Sequence, residues 1–218
     1  RLVGSEMCIR DRYKVARMTV RHALDIVQIE GLIDRKRGRT GGTFVRATPP
    51  TLSLTSGRSA LDQLREHGLE VEVRVLSLTL IETPGHLAST FGIEEGDAVW
   101  ECRTVQMTEG SPIMASTLLI PQALAPRLTE EEMQKPLTEL LTELDLAPVF
   151  KRDSLVAATA RTEEQKALGV GRNQPVLRIT RTVKAEGGVV AAQLEETLRP
   201  DAVTVEVVIG EDPTPTLD

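Results

Sequence analysis

The side chains best suited to chemistry in this sequence are basic ones near its start, and the chemistry they suit is contact with a nucleic-acid duplex. Apolar residues recur every three or four positions from Val20 to Val27, which predicts an amphipathic helix. Polar residues toward the helix start lie off its apolar stripe, and four of them are candidate DNA contacts: Arg17, Thr19, Arg21 and His22. Because basic side chains neutralise phosphates and polar ones bond base edges, the stretch predicts a recognition helix.

A glycine-rich basic stretch follows this helix. Gly31 predicts the helix end, and short runs on either side of residues 38 to 42 predict two paired strands. The candidate DNA contacts on this hairpin are Arg35, Lys36, Arg37, Arg39 and Thr43. Taken separately, the helix could be an ordinary surface helix and the hairpin a solvated basic loop. Because they occur together and in this order, we expect a recognition helix followed by a basic wing.

Charge is divided unequally along the chain. The first 48 residues hold 11 Lys and Arg against 5 Asp and Glu, whereas the remainder holds 15 against 27. The net charge of −6 therefore combines a basic amino-terminal part with an acidic remainder. Because a duplex repels an acidic surface, only the amino-terminal part is expected to dock on it.

The helix and hairpin resemble the GntR family of bacterial winged helix-turn-helix repressors. The family pattern is a Ser-Arg-x-Thr-Val-Arg-x-Ala-Leu helix, then Glu-Gly-Leu-Ile and a wing that ends in Gly-Thr-Phe-Val; Ala16 stands here in place of the usual Ser. The resemblance implies a double-stranded DNA operator as partner. It also implies a homodimer, since a two-fold operator presents two half-sites about one helical turn apart.

The first twelve residues depart from the family pattern. A winged helix needs about two helices before its recognition helix, whereas 16 residues precede Arg17. Residues 1–12 lack helical periodicity and begin without Met, so we expect a truncated reading frame joined to a foreign or disordered leader. A partial winged helix-turn-helix is then assigned to residues 13–47.

The composition is that of an ordinary globular protein. The 218 residues are 40% hydrophobic and 2% aromatic, which predicts an aliphatic core and excludes a base-stacking surface for single strands. No apolar run approaches the roughly 20 residues of a membrane span, and no signal-peptide pattern is present, so we expect a cytoplasmic protein without membrane contact. Two distant cysteines and three isolated histidines predict no disulfide and no metal site, and no cofactor is expected.

The pattern changes after the basic region. Frequent Pro, Ser and Thr predict a linker over residues 48–58, and strands alternate with short helices over residues 59–209, before a tail at 210–218. Residues 98–107 and 113–120 are predicted to pair as a hairpin. Capping-box sequences at residues 129–132 and 162–165 each predict a helix start.

This second segment resembles the UTRA effector-binding domain of the HutC branch of the GntR family, which has a chorismate-lyase-like fold. The resemblance is carried by Leu-Ile-Pro at 119–121, Gln-Pro-Val-Leu-Arg-Ile-Thr-Arg at 174–181 and Leu-Arg-Pro-Asp at 198–201. Ser116, Leu119 and Pro200 stand where the family often has Glu, Tyr and Gly. The expected fold class is α+β, a partial winged helix-turn-helix followed by a chorismate-lyase-like (UTRA) α/β sheet domain.

Charged residues alternate with apolar ones on the predicted strands of this domain. A buried ionised Arg is costly unless an anion pairs with it. The family's ligand contacts lie on corresponding strands, and by that resemblance the candidate effector contacts are Arg103, Arg152, Ser154, Arg181 and Glu196. Alternatively, Arg and Glu satisfy each other within the sheet, or the assumed inward face is the outward one. We expect a small anionic effector: a sugar phosphate, a carboxylate or a phosphonate.

The whole sequence is therefore expected to be an effector-responsive transcriptional regulator, a repressor that the metabolite releases from DNA. The alternatives are a small-molecule-binding module and a chorismate-lyase-like enzyme, both without DNA binding. An enzyme is disfavoured because the sequence shows no nucleophile and base at motif spacing, no phosphate-binding loop and no metal cluster.

Overall fold

The chain folds as two separate units, Arg1–Pro49 and Pro50–Asp218. The computed structural model describes residues 2–4, 6–29, 33–36, 42–45 and 49–210. The elements of the first unit are β1 (Leu2–Gly4), α1 (Glu6–Tyr13), α2 (Arg17–Ile29), β2 (Ile33–Lys36) and β3 (Gly42–Val45). The three strands form one antiparallel sheet in the order β1-β3-β2.

The core of the first unit explains where the amphipathic helix packs. Val20 and Leu24 of α2 are buried together with Ile33 of β2, and the partly buried Ile9 of α1 and Val27 of α2 pack against them. Val20, Leu24 and Val27 belong to the apolar pattern from which α2 was predicted. The opposite side of α2 is left exposed.

The expectation that residues 1–12 are disordered is wrong for the part that the structure describes. β1 pairs with β3, with Leu2 opposite Phe44, and α1 contributes Ile9 to the core. An eight-residue helix that buries one apolar side chain produces no visible periodicity, which is why the pattern did not reveal it. The foreign origin expected for this segment stays a prediction.

The second unit is built on one six-stranded antiparallel sheet, in the order β5-β6-β7-β10-β9-β8. The strands are β5 (Val71–Glu82), β6 (Ala98–Thr108), β7 (Ser111–Pro121), β8 (Phe150–Thr159), β9 (Pro175–Lys184) and β10 (Val190–Leu198). β6 and β7 form the predicted hairpin, joined by Glu109 and Gly110, which both have positive φ. Two successive positive φ values suit a tight turn whose twist matches that of the strands.

Short helices connect these strands: α3 (Ala60–Glu66), α4 (Gly85–Phe91), α5 (Leu137–Glu143) and α6 (Thr162–Leu168), with 3-10 turns at Glu132–Gln134 and Glu186–Gly188. The side chain of Ser59 caps α3 by accepting the backbone N–H of Asp62. α4 ends, as predicted, at Gly92, whose φ of 70° is left-handed. No helix in the described part of the chain is long and apolar enough to span a membrane.

The capping-box sequence at residues 129–132 makes the expected hydrogen bonds, whereas the box at 162–165 forms one residue earlier. At residues 129–132 the backbone N–H of Thr129 donates to Glu132, but only a 3-10 turn forms, because Lys135 is extended before Pro136. In α6 the N-cap is Arg161 rather than Thr162, and its backbone N–H donates to Glu164 at 2.6 Å.

The expected linker is wrong for residues 51–53. They form β4 (Thr51–Ser53), which pairs in parallel with β11 (Thr204–Glu206) at the other end of the domain. Leu52 is 4% exposed and packs in the core that contains Leu64 of α3. The side chain of Gln63 holds both backbone groups of Ser53, so this segment is an integral part of the second unit.

The register gives the six-stranded sheet two distinct faces, since residues directly opposite in an antiparallel pair share a face. Face A is defined by four residues that the register places side by side or in alternation: Thr104, Ser116, Glu196 and Arg181. It packs on α5 through a core that includes Cys102, Leu140 and Leu141. Face B is defined by Arg103, Thr117 and Arg178, and α6 packs on it through Leu168.

Candidate functional site

A cavity of about 80 Å³ lies between face A and the segments that carry α3 and α5. One water molecule needs roughly 10–15 Å³ on this measure, so the space suits a small ligand. Its polar lining comprises Ser59, Thr104, Gln106, Ser116, Lys135, Arg181 and Glu196. The remaining lining is aliphatic or sulfur-containing, and includes Cys102, Met114 and Leu194.

Three neutral polar side chains stand together on the β6–β7 hairpin. Thr104, Gln106 and Ser116 are each less than 10% exposed. The amide nitrogen of Gln106 lies 3.3 Å from both hydroxyls, and the Ser116 hydroxyl lies 3.4 Å from the Gln106 amide oxygen. These distances exceed the usual 2.7–3.2 Å, so the groups bind one another weakly and keep hydrogen-bonding capacity for a ligand.

An ionic cluster lies on face A beside these groups. The guanidinium of Arg181 donates two hydrogen bonds to Asp153, from Nε at 2.7 Å and from Nη2 at 3.1 Å. Its Nη1 lies 3.5 Å from Oε2 of Glu196. All three side chains are at most 13% exposed. Arg181 therefore carries a charge that its own neighbours already balance.

Burial changes the protonation of this cluster. Burial raises the pKa of Glu196, and Asp153 adds to the rise, while Arg181 and Lys151 oppose it. Burial lowers the pKa of Lys151, as does the nearby charge of Arg181. The ammonium of Lys151 donates a hydrogen bond to the backbone carbonyl of Ser56, in the segment between β4 and α3. Glu196 thus retains a proton to a higher pH than an exposed carboxyl would.

Arg181 and Glu196 are the two predicted effector contacts that line this cavity. Arg103 projects from face B into a second cavity of about 800 Å³, between the sheet and α6. Its guanidinium pairs there with Glu163, and its Nε lies 3.0 Å from Glu101, although without good hydrogen-bond geometry.

Arg152 and Ser154 are exposed on the edge strand β8, on the same side as face B. They line neither of these two cavities. The candidate contacts Arg103, Arg152 and Arg181 therefore do not share one cavity. The register places Arg103 opposite Thr117 and Glu196 opposite Ser116, and adjacent residues on β7 point to opposite faces.

Sequence interpretation missed Thr104 and Gln106 of the lining, and Asp153, which pairs with the lining residue Arg181. The available signal was polar residues at every second position of strands that are otherwise apolar. Thr104 and Gln106 follow Cys102 at that spacing, and Asp153 follows Lys151. In the sequence, Ser116 stands out only as a departure from the family pattern.

The first unit presents part of its predicted DNA surface. Arg17, Thr19, Arg21 and His22 are all exposed on α2. Thr43 is 4% exposed, so we remove it from the DNA contacts, because its side chain has almost no surface to offer. The side chains of Arg35 and Lys36, and the whole of Arg37 and Arg39, lie outside the described residues, and their role stays a prediction.

Comparison with known proteins gives consistent matches. A model of the UTRA domain family matches residues 66–204. The chain is 27% identical over 201 residues to the HTH-type transcriptional repressor NagR of Bacillus subtilis, covering 92% of this chain and 82% of that protein. It is 22% identical over 187 residues to the mannosyl-D-glycerate transport/metabolism system repressor MngR of Escherichia coli, covering 85% and 77%.

Solved structures confirm the fold. The crystal structure of PhnF from Mycobacterium smegmatis superimposes with a TM-score of 0.71 at 22% identity, covering 97% of this chain and 94% of that one. A putative GntR-family transcriptional regulator superimposes with a TM-score of 0.65 at 21% identity, covering 97% and 89%. The expected α+β fold, with helices followed by a six-stranded antiparallel sheet domain, is therefore confirmed.

Proposed function

The chain belongs to the UTRA-domain family, within the HutC branch of the GntR transcriptional regulators, and we propose that it is a repressor whose hold on operator DNA is controlled by a small effector in the face A cavity. Its curated relatives NagR, MngR and PhnF are named as repressors, none as an enzyme. The observation that carries the proposal is a cavity on an apolar face that collects Thr104, Gln106, Ser116 and Glu196.

DNA binding is assigned to the first unit. α2 buries Val20 and Leu24 and exposes Arg17, Thr19 and Arg21, which is the arrangement that a helix in the major groove requires. We propose that two copies of the chain bind as a homodimer, because a two-fold operator needs two such helices. The proposed site of action is the cytoplasm, where bacterial operator DNA is found.

Effector binding is assigned to the cavity because its polar groups are costly without partners. A buried donor or acceptor without a hydrogen bond costs about 1–3 kcal/mol, and the weak contacts among Thr104, Gln106 and Ser116 only partly remove that cost. A small polar ligand would supply the hydrogen bonds that these three side chains lack. Recognition of the anionic effector that the sequence predicts would depend on Arg181. The charge of Arg181, however, is already balanced by Asp153.

Control of DNA binding requires that the effector favour one arrangement of the chain. Ser59, Ala60 and Leu61 line the cavity and directly follow the segment between β4 and α3, near the start of the second unit. Lys151, beside the ionic cluster, bonds the carbonyl of Ser56 in that same segment. A ligand that alters the cavity wall therefore acts on the segment between β4 and α3, close in the chain to the junction of the two units.

Substitution of Arg21 tests the DNA assignment. Arg21→Ala is expected to weaken binding to a duplex that the wild-type protein selects from a random pool by about 10- to 100-fold, since a good base contact contributes about 1–3 kcal/mol. The affinity of the variant for random duplexes should fall only slightly. The exposed Arg65 of α3 provides a control of equal charge, and Arg65→Ala should bind the selected duplex normally. Fluorescence anisotropy measures both, and an equal loss on selected and random duplexes contradicts the assignment.

Release of the selected duplex tests the effector assignment. Small polar metabolites are expected to lower DNA affinity, and Thr104→Val should raise the effector concentration required by about three- to tenfold, the effect of one neutral hydrogen bond. Thr117→Val is a matched control, because it makes the same change on face B. Equal sensitivity of the two variants would place the effector outside the face A cavity.

A further inference from the structure

We infer that the effector of the face A cavity is a small neutral polyhydroxyl molecule, a free polyol or sugar, an inference that rests on the proposed function because it concerns the same cavity. The sequence alone favoured an anion. Three properties of the cavity favour a neutral ligand: its balance of charges, the kind of hydrogen-bonding groups it offers, and the apolar surface beside them.

The charges around the cavity are already balanced. Its described lining contains two cations, and each has a carboxylate partner: Arg181 pairs with Asp153, and Lys135 pairs with Glu143 at 2.6–2.7 Å. Lys151, the third cation of this region, faces Asp153 and Glu196. A phosphate or carboxylate would bring a further negative charge beside Glu196, with no unmatched cation among the described lining residues to receive it. Like charges in such surroundings repel one another and weaken binding.

The hydrogen-bonding groups suit hydroxyls. Thr104 and Ser116 each offer a hydroxyl that can donate or accept, and Gln106 offers an amide with both functions. A ligand hydroxyl also donates and accepts, so it can replace the long contacts among these three side chains. Glu196, whose pKa burial raises, can accept from a hydroxyl when ionised and donate to one when protonated.

The apolar surface of the cavity suits the C–H face of a sugar. Met114, Leu118 and Leu194 lie beside the polar groups. Cys102 adds to this surface, because burial, together with the charge of Glu130, raises the pKa of its thiol to about 12 and keeps it neutral. The described lining contains no aromatic side chain, so a flat aromatic ligand has nothing to stack on.

Matched pairs of neutral and anionic ligands test whether the effector is neutral. The 218-residue chain is titrated in a thermal-shift assay and by calorimetry with small polyols and free sugars, each beside its phosphorylated or carboxylated counterpart, such as glycerol with glycerol 3-phosphate and with glycerate. We expect at least one neutral member to stabilise the protein in proportion to ln(1 + [L]/Kd), and its anionic counterpart to bind at least about tenfold more weakly. Tighter binding of the anionic members, or no stabilisation by any neutral member, overturns the inference.

Variants allow three hypotheses to be tested separately: the class of ligand, the location of its site and the proposed function. Thr104→Val should weaken the neutral ligand by about three- to tenfold and Thr117→Val should not; if Thr104→Val fails to fold, Ser116→Ala replaces it. An anion that binds tightly and is weakened by Thr104→Val would overturn the neutral class while supporting the cavity. A neutral ligand that binds in the cavity but never releases DNA would support the ligand class and contradict the proposed function.

Discussion

Replacement of Glu164 by Ala is expected to lower the free energy of unfolding of the second unit by about 3–5 kcal/mol, the cost of removing one partner of a buried ion pair. The carboxylate of Glu164 is 12% exposed and accepts two hydrogen bonds from Nη2 of Arg178, at 2.7 and 2.8 Å. It also accepts the backbone N–H of Arg161 and the hydroxyl of Thr197. Among the described residues, the substitution would leave the 13% exposed Arg178 with Glu195, 3.8 Å away, as its remaining carboxylate partner.

The measurement can follow the single tryptophan. Trp100 lies on β6, and its indole N–H donates to the carbonyl of Ala125, so its fluorescence reports unfolding of this unit in urea. Glu163 is the matched control, because it precedes Glu164 in α6 but is 73% exposed. Glu163→Ala should lower the free energy of unfolding by less than about 1 kcal/mol, even though it breaks an ion pair with Arg103. Equal losses for the two variants would contradict the contribution assigned to Glu164.

The same pair has a predictable pH dependence. Burial alone would raise the pKa of Glu164, but the hydrogen bonds from Arg178, from the Arg161 backbone and from Thr197 lower it below its usual value. A carboxyl with a lowered pKa in the folded state stabilises the protein above its unfolded pKa of about 4.3, and this stabilisation is lost as the pH falls through the folded value. The difference between the wild type and Glu164→Ala should therefore shrink below about pH 4.

The elements of the second unit could be predicted from the sequence because they carry local signals. The Glu109-Gly110 turn fixes the β6–β7 hairpin, and Gly92 marks the end of α4. The faces of the strands carried no such signal. On β6, Val99 and Val105 are buried on face B and Cys102 is buried on face A, so the usual alternation of apolar and polar residues is absent.

This lack of alternation explains the error at the candidate site. A shift of one position moves a side chain to the other face, and Arg103 and Thr104 are neighbours on a strand that is covered on both sides. Charge attracted attention to Arg103, whereas the cavity is lined by the neutral Thr104 and Gln106. The pairing of Arg181 with Asp153 depends on β8 lying beside β9, which is a tertiary fact that no local pattern contains.

Replacement of Arg181 by Met is the second change expected to cost about 3–5 kcal/mol of unfolding free energy. Asp153 and Glu196, with 9% and 7% of their side chains exposed, would lose the guanidinium that they share and keep only Lys151 nearby. Arg74 of β5 provides the matched control, because its ion pair with Glu72 is more than half exposed. Arg74→Met should cost less than about 1 kcal/mol in the same urea titration. Similar decreases in the free energy of unfolding for the two variants would show that the Arg181 cluster stabilises the protein no more than a surface ion pair does.

Glu196→Gln distinguishes the carboxyl of that cluster from its arginine, because it keeps the hydrogen bonds between Arg181 and Asp153. Burial, with Asp153 adding to it and Arg181 and Lys151 opposing, raises the folded-state pKa of Glu196 above the unfolded value of about 4.3. The unfolded chain therefore ionises first, and the wild type loses stability as the pH rises from about 4.3 to the raised pKa. Relative to the wild type, the Gln variant should gain stability over that interval, by at most about 1.4 kcal/mol per pH unit. Urea titrations at intervals from pH 4.5 to 8 measure the difference, and a relative loss of stability by the variant as the pH rises would show that Arg181 holds Glu196 ionised.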